Sequence, residues 1–587
     1  MRLPKPSLRR VSSFSVGLFV LTLVPIVAAL VHAIRAGWVP LGDHGLIELR
    51  AADVLTSNHP WLGTWTSASL TAPADMNNPG PLLFDALAPF IKWFGGSTGA
   101  VLGVAAINAT SCAAALWQGH VLAGRRGQLL MATACVLLSW SMGSEMLIDP
   151  WQPHVLLLPA LAFLAAAGAS AAGRVRSLPW MVALASLLVQ SHLSYAYLVA
   201  IVGAAALFLC WRSLRSAAVA APPCEWRRSA LHASAVALVC WVQPLVEQFF
   251  GEGTGNLSRL VDASGSSSDT LGAVLGVRLV GRIVALPPWF LRPSFQESIP
   301  STQRSADGSL HVAIWPSFAV SLLALAAVTA LAVLLICRLR ARGDYELASL
   351  LTIAVVAVGA AAFTMLLVPV GPVGLAPHHM RWLWPISVLL WCSLAAAALR
   401  LAPARWPGVR HRRNVTLAAL SVVGLLSVPT LTSDSGPAAD RRYRAVVSSI
   451  IDQLKGVQLD QPAVFDPTNL RFAEPFSGVV LFVLLDEGQP VRFADEGLVR
   501  QVGNRRRAHG DELWTLQVLE RDAALAIDPD AQVLAYADGL TEAERTEMVA
   551  LQESGDNATR LDELLARRQS LVAAIVLIGR EPPPAAD

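Results

Sequence analysis

The chain has 587 residues, of which 54% are hydrophobic and only 15% charged, and its mean hydropathy is +0.51. A soluble domain carries about 25% charged residues, so a soluble globular enzyme, a disordered chain and a nucleic-acid-binding protein are excluded and a polytopic membrane protein is expected. The net charge of +3 conceals an asymmetry: residues 1–431 hold 29 of the 45 Lys and Arg but only 16 of the 42 Asp and Glu, whereas 432–587 is acidic.

The first span is expected at Val11–Leu30, preceded by Arg2, Lys5, Arg9 and Arg10. It is too long for a cleaved signal, and its basic flank puts the N-terminus in the cytoplasm. Further spans are expected at about 98–118, 127–147, 154–173, 229–247, 312–337, 345–368, 382–400 and 414–431. The apolar stretch 179–211, broken at Gln190-Ser191-His192, reads as a short helix pair. These make about 11 membrane segments and leave the C-terminus outside. Arg125/Arg126, Arg174/Arg176, Arg212–Arg228, Arg338–Arg342 and Arg400–Arg413 then all fall in inner loops, as the positive-inside rule asks.

Three outer segments are large: 35–97, 248–311 and the tail from 432. In the first, the apolar run Pro81–Phe94 with Trp61, Trp65 and Trp93 around it reads as an interfacial helix. The second has a Gly/Ser-rich stretch, Asp262–Asp269, and then apolar Leu271–Phe290 interrupted by Arg278 and Arg282, read as a mobile lid over the site. The tail alternates expected strands (Val479–Leu485, Glu512–Leu519, Ala531–Tyr536, Leu571–Ile578) with expected helices (Thr541–Gln552, Thr559–Gln569), and Thr541 to Glu544 forms a capping-box pattern. The expected architecture is therefore a polytopic α-helical membrane part, 1–431, and an extracytoplasmic soluble α/β domain, 432–587. Arg505-Arg506-Arg507 with Arg500 makes a basic patch in that acidic domain, read as a solvated loop or a contact to anionic lipid or glycan. The seven cysteines lie in or beside apolar stretches without CxxC spacing, so they read as apolar filler.

Acidic, imidazole and guanidinium groups gather near the outer boundary. Asp43-His44-Gly-Leu-Ile-Glu48 follows the first span, and Asp149-Pro-Trp-Gln-Pro-His154 forms the turn between the third and fourth. Gln190 and His192 sit at the break of the helix pair, and His378-His379-Met-Arg381 opens a late span. Ionisable groups at membrane depth are by default a functional-site hypothesis.

The order of these pieces resembles the GT-C superfamily of membrane glycosyltransferases, in particular its protein-mannosyltransferase-like and aminoarabinose-transferase-like branch. The resemblance rests on Gly42-Asp43 leading into Leu46–Arg50, then Asn77-Asn78-Pro79-Gly80-Pro81-Leu82, the helix–Asp149–helix hairpin and Arg381-Trp-Leu-Trp-Pro385. Asn78 stands where that family often has His, and Trp382 where it often has Tyr. What the resemblance implies is transfer of a sugar from a polyprenyl-phosphate carrier to an extracytoplasmic glycan, lipid or protein acceptor, by an integral plasma-membrane enzyme.

In that reaction a carboxylate must take the proton of the acceptor hydroxyl. Asp43 is the first candidate, with Glu48 and Asp149 next; the structural alternative for Asp43 is an N-cap for Gly45–Val54. Arg381 suits the lipid phosphate, being always charged and bidentate, with His378 and His379 as added donors. The alternative for Arg381 is a snorkelling anchor. Asn78, Gln190, His192 and Tyr195 are candidates for sugar hydroxyls, with helix-pair packing as the alternative for the last three. The His378/His379 pair with Asp43, Glu48 or Asp149 is also a candidate for a divalent metal, although no fixed ligand spacing is present. A transporter of lipid-linked sugars would need midplane charges and repeat symmetry, neither of which is visible; a non-catalytic scaffold would leave the first-loop carboxylates free to change.

Overall fold

The computed structural model describes residues 12–580 apart from 71, 73, 216–222, 252, 265–269, 287, 289, 291–302, 305–309, 312–314, 369, 371–374, 403–430 and 437–440. The described residues contain eight helices long and apolar enough to cross a membrane, and the protein is an integral membrane protein. The first, α1 (Ser13–Arg35), starts where the Ser12 hydroxyl accepts the Ser15 N–H. Two amphipathic helices follow in the first loop, α2 (Asp43–Ala52) and α3 (Leu82–Phe94). The latter occupies the run read as interfacial and leaves Trp93 exposed.

Next, α4 (Gly96–Met146) is 51 residues long but not straight. Gly124 has φ +59°, and a Cβ on Gly119 would lie 2.4 Å from the Gly127 carbonyl oxygen. Eight residues of continuous helix span about 12 Å, so the chain reverses at Ala123–Gly124. The two arms are the spans expected at 98–118 and 127–147.

After the four-residue α5 (Gln152–Val155), the centre of the bundle is α6 (Leu157–Ala171), buried at every position. Its small residues, Ala165-Ala-Ala-Gly-Ala-Ser-Ala171, let neighbouring helices approach closely. Around it pack α4, α7 (Leu178–Ser191), α8 (Ala196–Arg215), α13 (Tyr345–Leu367) and α14 (Leu383–Leu401). The α7–α8 pair breaks at His192–Tyr195, as the sequence indicates. Three more helices, α9 (Pro223–Phe250), α10 (Asn256–Ser264) and α11 (Gly272–Val280), lead to α12 (Phe318–Ala341). The expected span at 414–431 lies outside the described residues but for Leu431.

The lid expectation is corrected over Leu271–Ala285. This segment packs among α12, α13 and α14, with Leu275, Leu279, Val280, Ile283 and Val284 buried and Gly281 against Ser321.

The tail forms a five-stranded sheet of β1 (Ala463–Asp466), β2 (Val491–Phe493), β3 (Trp514–Glu520), β4 (Gln532–Ala537) and β5 (Ala573–Gly579), in the order β2-β1-β3-β5-β4. β1 is parallel to β2 and β3, and β5 is antiparallel to β3 and β4. Helix α15 (Arg444–Leu454) packs beside β4. The Thr541/Glu544 capping box forms as expected.

One tail element differs: Val479–Leu485, expected as a strand, lies in helix α16 (Ser477–Asp486). Glu474 accepts the N–H groups of Phe476 and Ser477 at its start, and the helix is buried between α2 and the sheet. A run apolar all round has no periodicity to separate strand from helix.

The basic patch is also corrected. Arg506 is buried and forks onto Asp53 of the first loop at 2.7 and 2.8 Å. Arg500, on α17 (Glu496–Val502), is likewise turned inward. All seven cysteines are free thiols.

Candidate active site

Two turns and one helix start meet at the end of the bundle that carries the tail. α2 begins at Gly42 (φ +55°), whose N–H donates to the Pro475 carbonyl of the tail. Asp43 is therefore the first helical residue and not an N-cap; no side chain caps this helix. The α4–α5 turn brings in Asp149, Trp151 and His154, and the 3-10 turn Pro377–Met380 brings in His378, His379 and then Arg381.

Asp149 is the most heavily bonded group. Its Oδ1 accepts the Trp151 N–H at 2.8 Å and faces His44 Nε2 at 3.0 Å, while its Oδ2 faces His154 Nδ1 at 2.7 Å. The partners fix both neutral tautomers. His44 Nδ1 accepts the Leu41 N–H at 3.1 Å, so Nε2 carries the hydrogen; His154 Nε2 receives the Arg381 guanidinium, so Nδ1 does. A line of hydrogen bonds thus runs from Arg381 through His154, Asp149 and His44 to the backbone of the first loop.

Trp151 sits at the hub. Its indole N–H donates to Asp43 Oδ2 at 3.1 Å, and its ring lies 5.1 Å from His154 and 4.6 Å from His378. His378 and His379 are edge to face at 4.2 Å. The Trp38 ring stacks on His44 at 5.6 Å. The structure therefore gathers Asp43, Asp149, His378, His379 and Arg381 around one tryptophan, from segments as far apart as residues 43 and 381.

The two aspartates differ in their electrostatics. Burial alone would raise the Asp149 carboxyl, but the two imidazoles hold it well below the usual carboxylate range. Burial would lower His44, yet Asp149 outweighs it and the imidazole is raised. Asp43 is raised, first by burial, against the pull of His44 and of the Trp151 hydrogen bond. Its side chain is nevertheless exposed at the surface, so it is reachable from solvent. Next to its neighbour His44, a small cavity of about 10 Å³ is lined by Trp38, His44, Glu145 and Asp149 from the membrane part and by Arg444 from the tail.

Glu48 does not join the group. It is fully buried against α16, and neither carboxylate oxygen has a hydrogen-bond partner among the described residues. Burial, then Asp486, pushes its carboxyl well up. This placement removes it as a base for a substrate at Asp43.

The candidates for sugar hydroxyls are spread along the α7–α8 break. Asn78 is committed to structure: its amide donates to Thr64 Oγ1 at 3.0 Å and its carbonyl accepts the Leu193 N–H at 2.9 Å. Gln190 donates to the Cys240 carbonyl at 2.6 Å, while its Oε1 and the buried Tyr195 hydroxyl have no partner among the described residues. His192 is within electrostatic reach of His379.

Among the described residues, no group of three or more His, Cys, Asp or Glu side chains is arranged to hold a metal ion. His44 and His154 turn N–H groups toward Asp149, and the remaining His154 nitrogen faces a guanidinium, so this donor set does not fit one. The three site residues without a role in the sequence reading are His44, His154 and Trp151. Their signal was adjacency: His44 follows Asp43, and Trp151 and His154 share a proline-bracketed turn with Asp149.

No family model matches the sequence, and no curated protein matches it. Among solved structures, ArnT from Cupriavidus metallidurans, bound to undecaprenyl phosphate, aligns over 96% of this chain and 97% of its own, with TM-score 0.50 at 14% identity. The chain shares the fold of that protein over nearly the whole length of both. A weaker likeness, TM-score 0.38 at 10% identity over 86% of this chain and 69% of the other, is to the oligosaccharyltransferase AglB from Archaeoglobus fulgidus, in complex with an inhibitory peptide and a dolichol-phosphate. The helical membrane part and the sheet-containing tail both lie within the length aligned with ArnT.

Proposed function

We propose that this protein transfers a sugar from a polyprenyl-phosphate carrier to a glycan, lipid or protein acceptor on the extracytoplasmic side of the plasma membrane. The observation that carries the reading is the convergence of Asp43, Arg381 and the imidazoles around Trp151, with Asp43 exposed at the surface. The fold adds support, since ArnT holds undecaprenyl phosphate. Charge supports the orientation: Arg174, Arg342 and Arg400 cluster at the bundle end away from the site, as expected of a cytoplasmic end with the tail, from 432, outside.

The acceptor oxygen forms a bond to the anomeric carbon as the bond from that carbon to the phosphate oxygen breaks. Asp43 takes the acceptor proton. It suits the task because its carboxyl is raised above the ordinary value and its surface is open. Asp149 does not suit it, with both oxygens occupied and its proton affinity depressed. Arg381 holds the departing phosphate charge, with His378 and His379 donating beside it. Asp149 holds His44 and, through His154, the guanidinium in place.

The test is Asp43→Asn and Arg381→Ala in folded, membrane-inserted protein, assayed for transfer from polyprenyl-phosphate sugars. Each variant should lose roughly 100- to 10,000-fold in rate. Undiminished transfer in both would reject the site.

A further inference from the structure

The tail's basic patch, which the chemistry above leaves unused, sends Arg500 into a buried polar knot. Its Nε donates to Asn77 Oδ1 at 3.1 Å and its Nη2 to Asn256 Oδ1 at 3.2 Å, with Glu247 at 3.9 Å. Asn256 reads the backbone of Asn77 as a strand would: its Oδ1 accepts the Asn77 N–H and its Nδ2 donates to the Asn77 carbonyl, both at 2.9 Å. One arginine of the tail thereby locks the first loop to α10 and the end of α9. Both asparagines are buried.

The knot continues toward the site. Asn77 Nδ2 donates to the Gly63 carbonyl at 2.9 Å, and the next residue, Asn78, donates to Thr64 Oγ1. The same Thr64 oxygen accepts the Gln152 amide at 2.7 Å. Gln152 follows Trp151, the donor to Asp43, and lies two residues before His154, which holds Arg381. Hydrogen bonds and the covalent links of adjacent residues alternate along this path, and buried polar networks of this kind fix geometry when their members are satisfied.

We propose that Arg500 is a positioning residue: it touches no reacting atom, but through the Asn77–Asn78 turn, Thr64 and Gln152 it holds the Trp151–His154 segment in working geometry. The tail is on this account part of the catalytic apparatus and not an appended module. The proposal rests on the transferase reading for its kinetic readout only.

The experiment uses the full-length protein in lipid nanodiscs. Arg500→Ala should lower kcat by roughly tenfold with little change in KM for the lipid donor, a size typical of coupling through packed networks. Arg500→Lys should recover part of the loss, and Arg505→Ala, an exposed neighbour, none is needed to recover because it should match wild type. Thr64→Val cuts the same line at its other end. The double variant Arg500→Ala/Thr64→Val should therefore be about as slow as the slower single variant. Losses that multiply would overturn the proposal, as would an Arg500→Ala effect confined to KM. If the wild-type protein transfers no sugar, the transferase reading fails, and hydrogen exchange then decides this proposal by itself. The amides of His154 and Val155, bonded to the Trp151 carbonyl, should exchange faster in Arg500→Ala and unchanged in Arg505→Ala; unaltered exchange in Arg500→Ala overturns it.

Discussion

The two faces of α2 handle buried acid in opposite ways. At its start, the neighbouring Asp149 is shut away from solvent but receives three N–H groups, two of them from imidazoles, and its carboxyl is held well below the ordinary value. One turn further on, Glu48 is equally shut away, receives none among the described residues, and is pushed well above. Depth is the same and direction is opposite, so the donors, not the burial, decide the charge state. The consequence for stability has opposite signs. The Asp149 contribution is present above the ordinary carboxylate range and lost as pH falls through its depressed folded value. The Glu48 contribution is present below about 4.5 and lost as pH rises through its raised folded value.

The largest effect should come from breaking the satisfied side. Asp149→Asn keeps the shape but turns an amide N–H toward an imidazole N–H, so one of the two histidines loses its acceptor. We expect a loss of about 2–3 kcal/mol in detergent unfolding, the scale of hydrogen bonds to a charged group, together with roughly 100-fold slower transfer as Arg381 drifts with His154. An unfolding midpoint equal to wild type would mean that the two imidazoles do not depend on this carboxylate. Next in size is the contact that closes the other face. A Cβ on Gly478 would meet the Gly42 carbonyl oxygen at 2.3 Å, so Gly478→Ala should lift α16 from α2. Overpacking of this kind costs about 1–3 kcal/mol, and protease release of the tail at lower temperature is the measurement.

Much of this was legible in the sequence, for identifiable reasons. Long apolar runs made the membrane helices among the described residues legible because lipid imposes length and leaves few alternatives. The broken helix pair was visible because Gln190 and His192 interrupt an apolar stretch. Asp43, Asp149 and Arg381 stood out as ionisable groups at membrane depth. Glu48 looked equivalent by that criterion, and only its packing against α16 separates it from Asp43. α16 itself was misread because burial on all sides erases periodicity. The inward turn of Arg500 and Arg506 had no local signal at all, since their partners lie more than 240 residues away.

The unsatisfied side should yield in the other direction. Glu48→Leu removes a carboxyl that gains nothing from its surroundings, so it should raise stability by about 1–3 kcal/mol at alkaline pH. The gain should shrink as pH falls and the wild-type carboxyl takes up its proton. Unfolding midpoints measured across pH give the check: a wild-type curve that slopes downward with rising pH should flatten in the variant. Parallel curves would show that Glu48 is not the source of the slope.

Smallest, and most specific to the chemistry, is Trp151→Phe. A phenyl ring keeps the contacts to His154 and His378 but deletes the N–H that donates to Asp43. That hydrogen bond favours the ionised carboxylate, so without it Asp43 binds its proton more tightly. A general base works only when ionised, so the acid limb of the rate profile should move to higher pH, with transfer reduced by roughly fivefold along that limb. At sufficiently alkaline pH the variant should approach wild-type rate, because there Asp43 is ionised with or without the indole. A uniform loss at every pH would instead place the role of Trp151 in its ring, as a surface against which the imidazoles or the sugar rest, and would leave the proton affinity of Asp43 set by its burial and its neighbours alone.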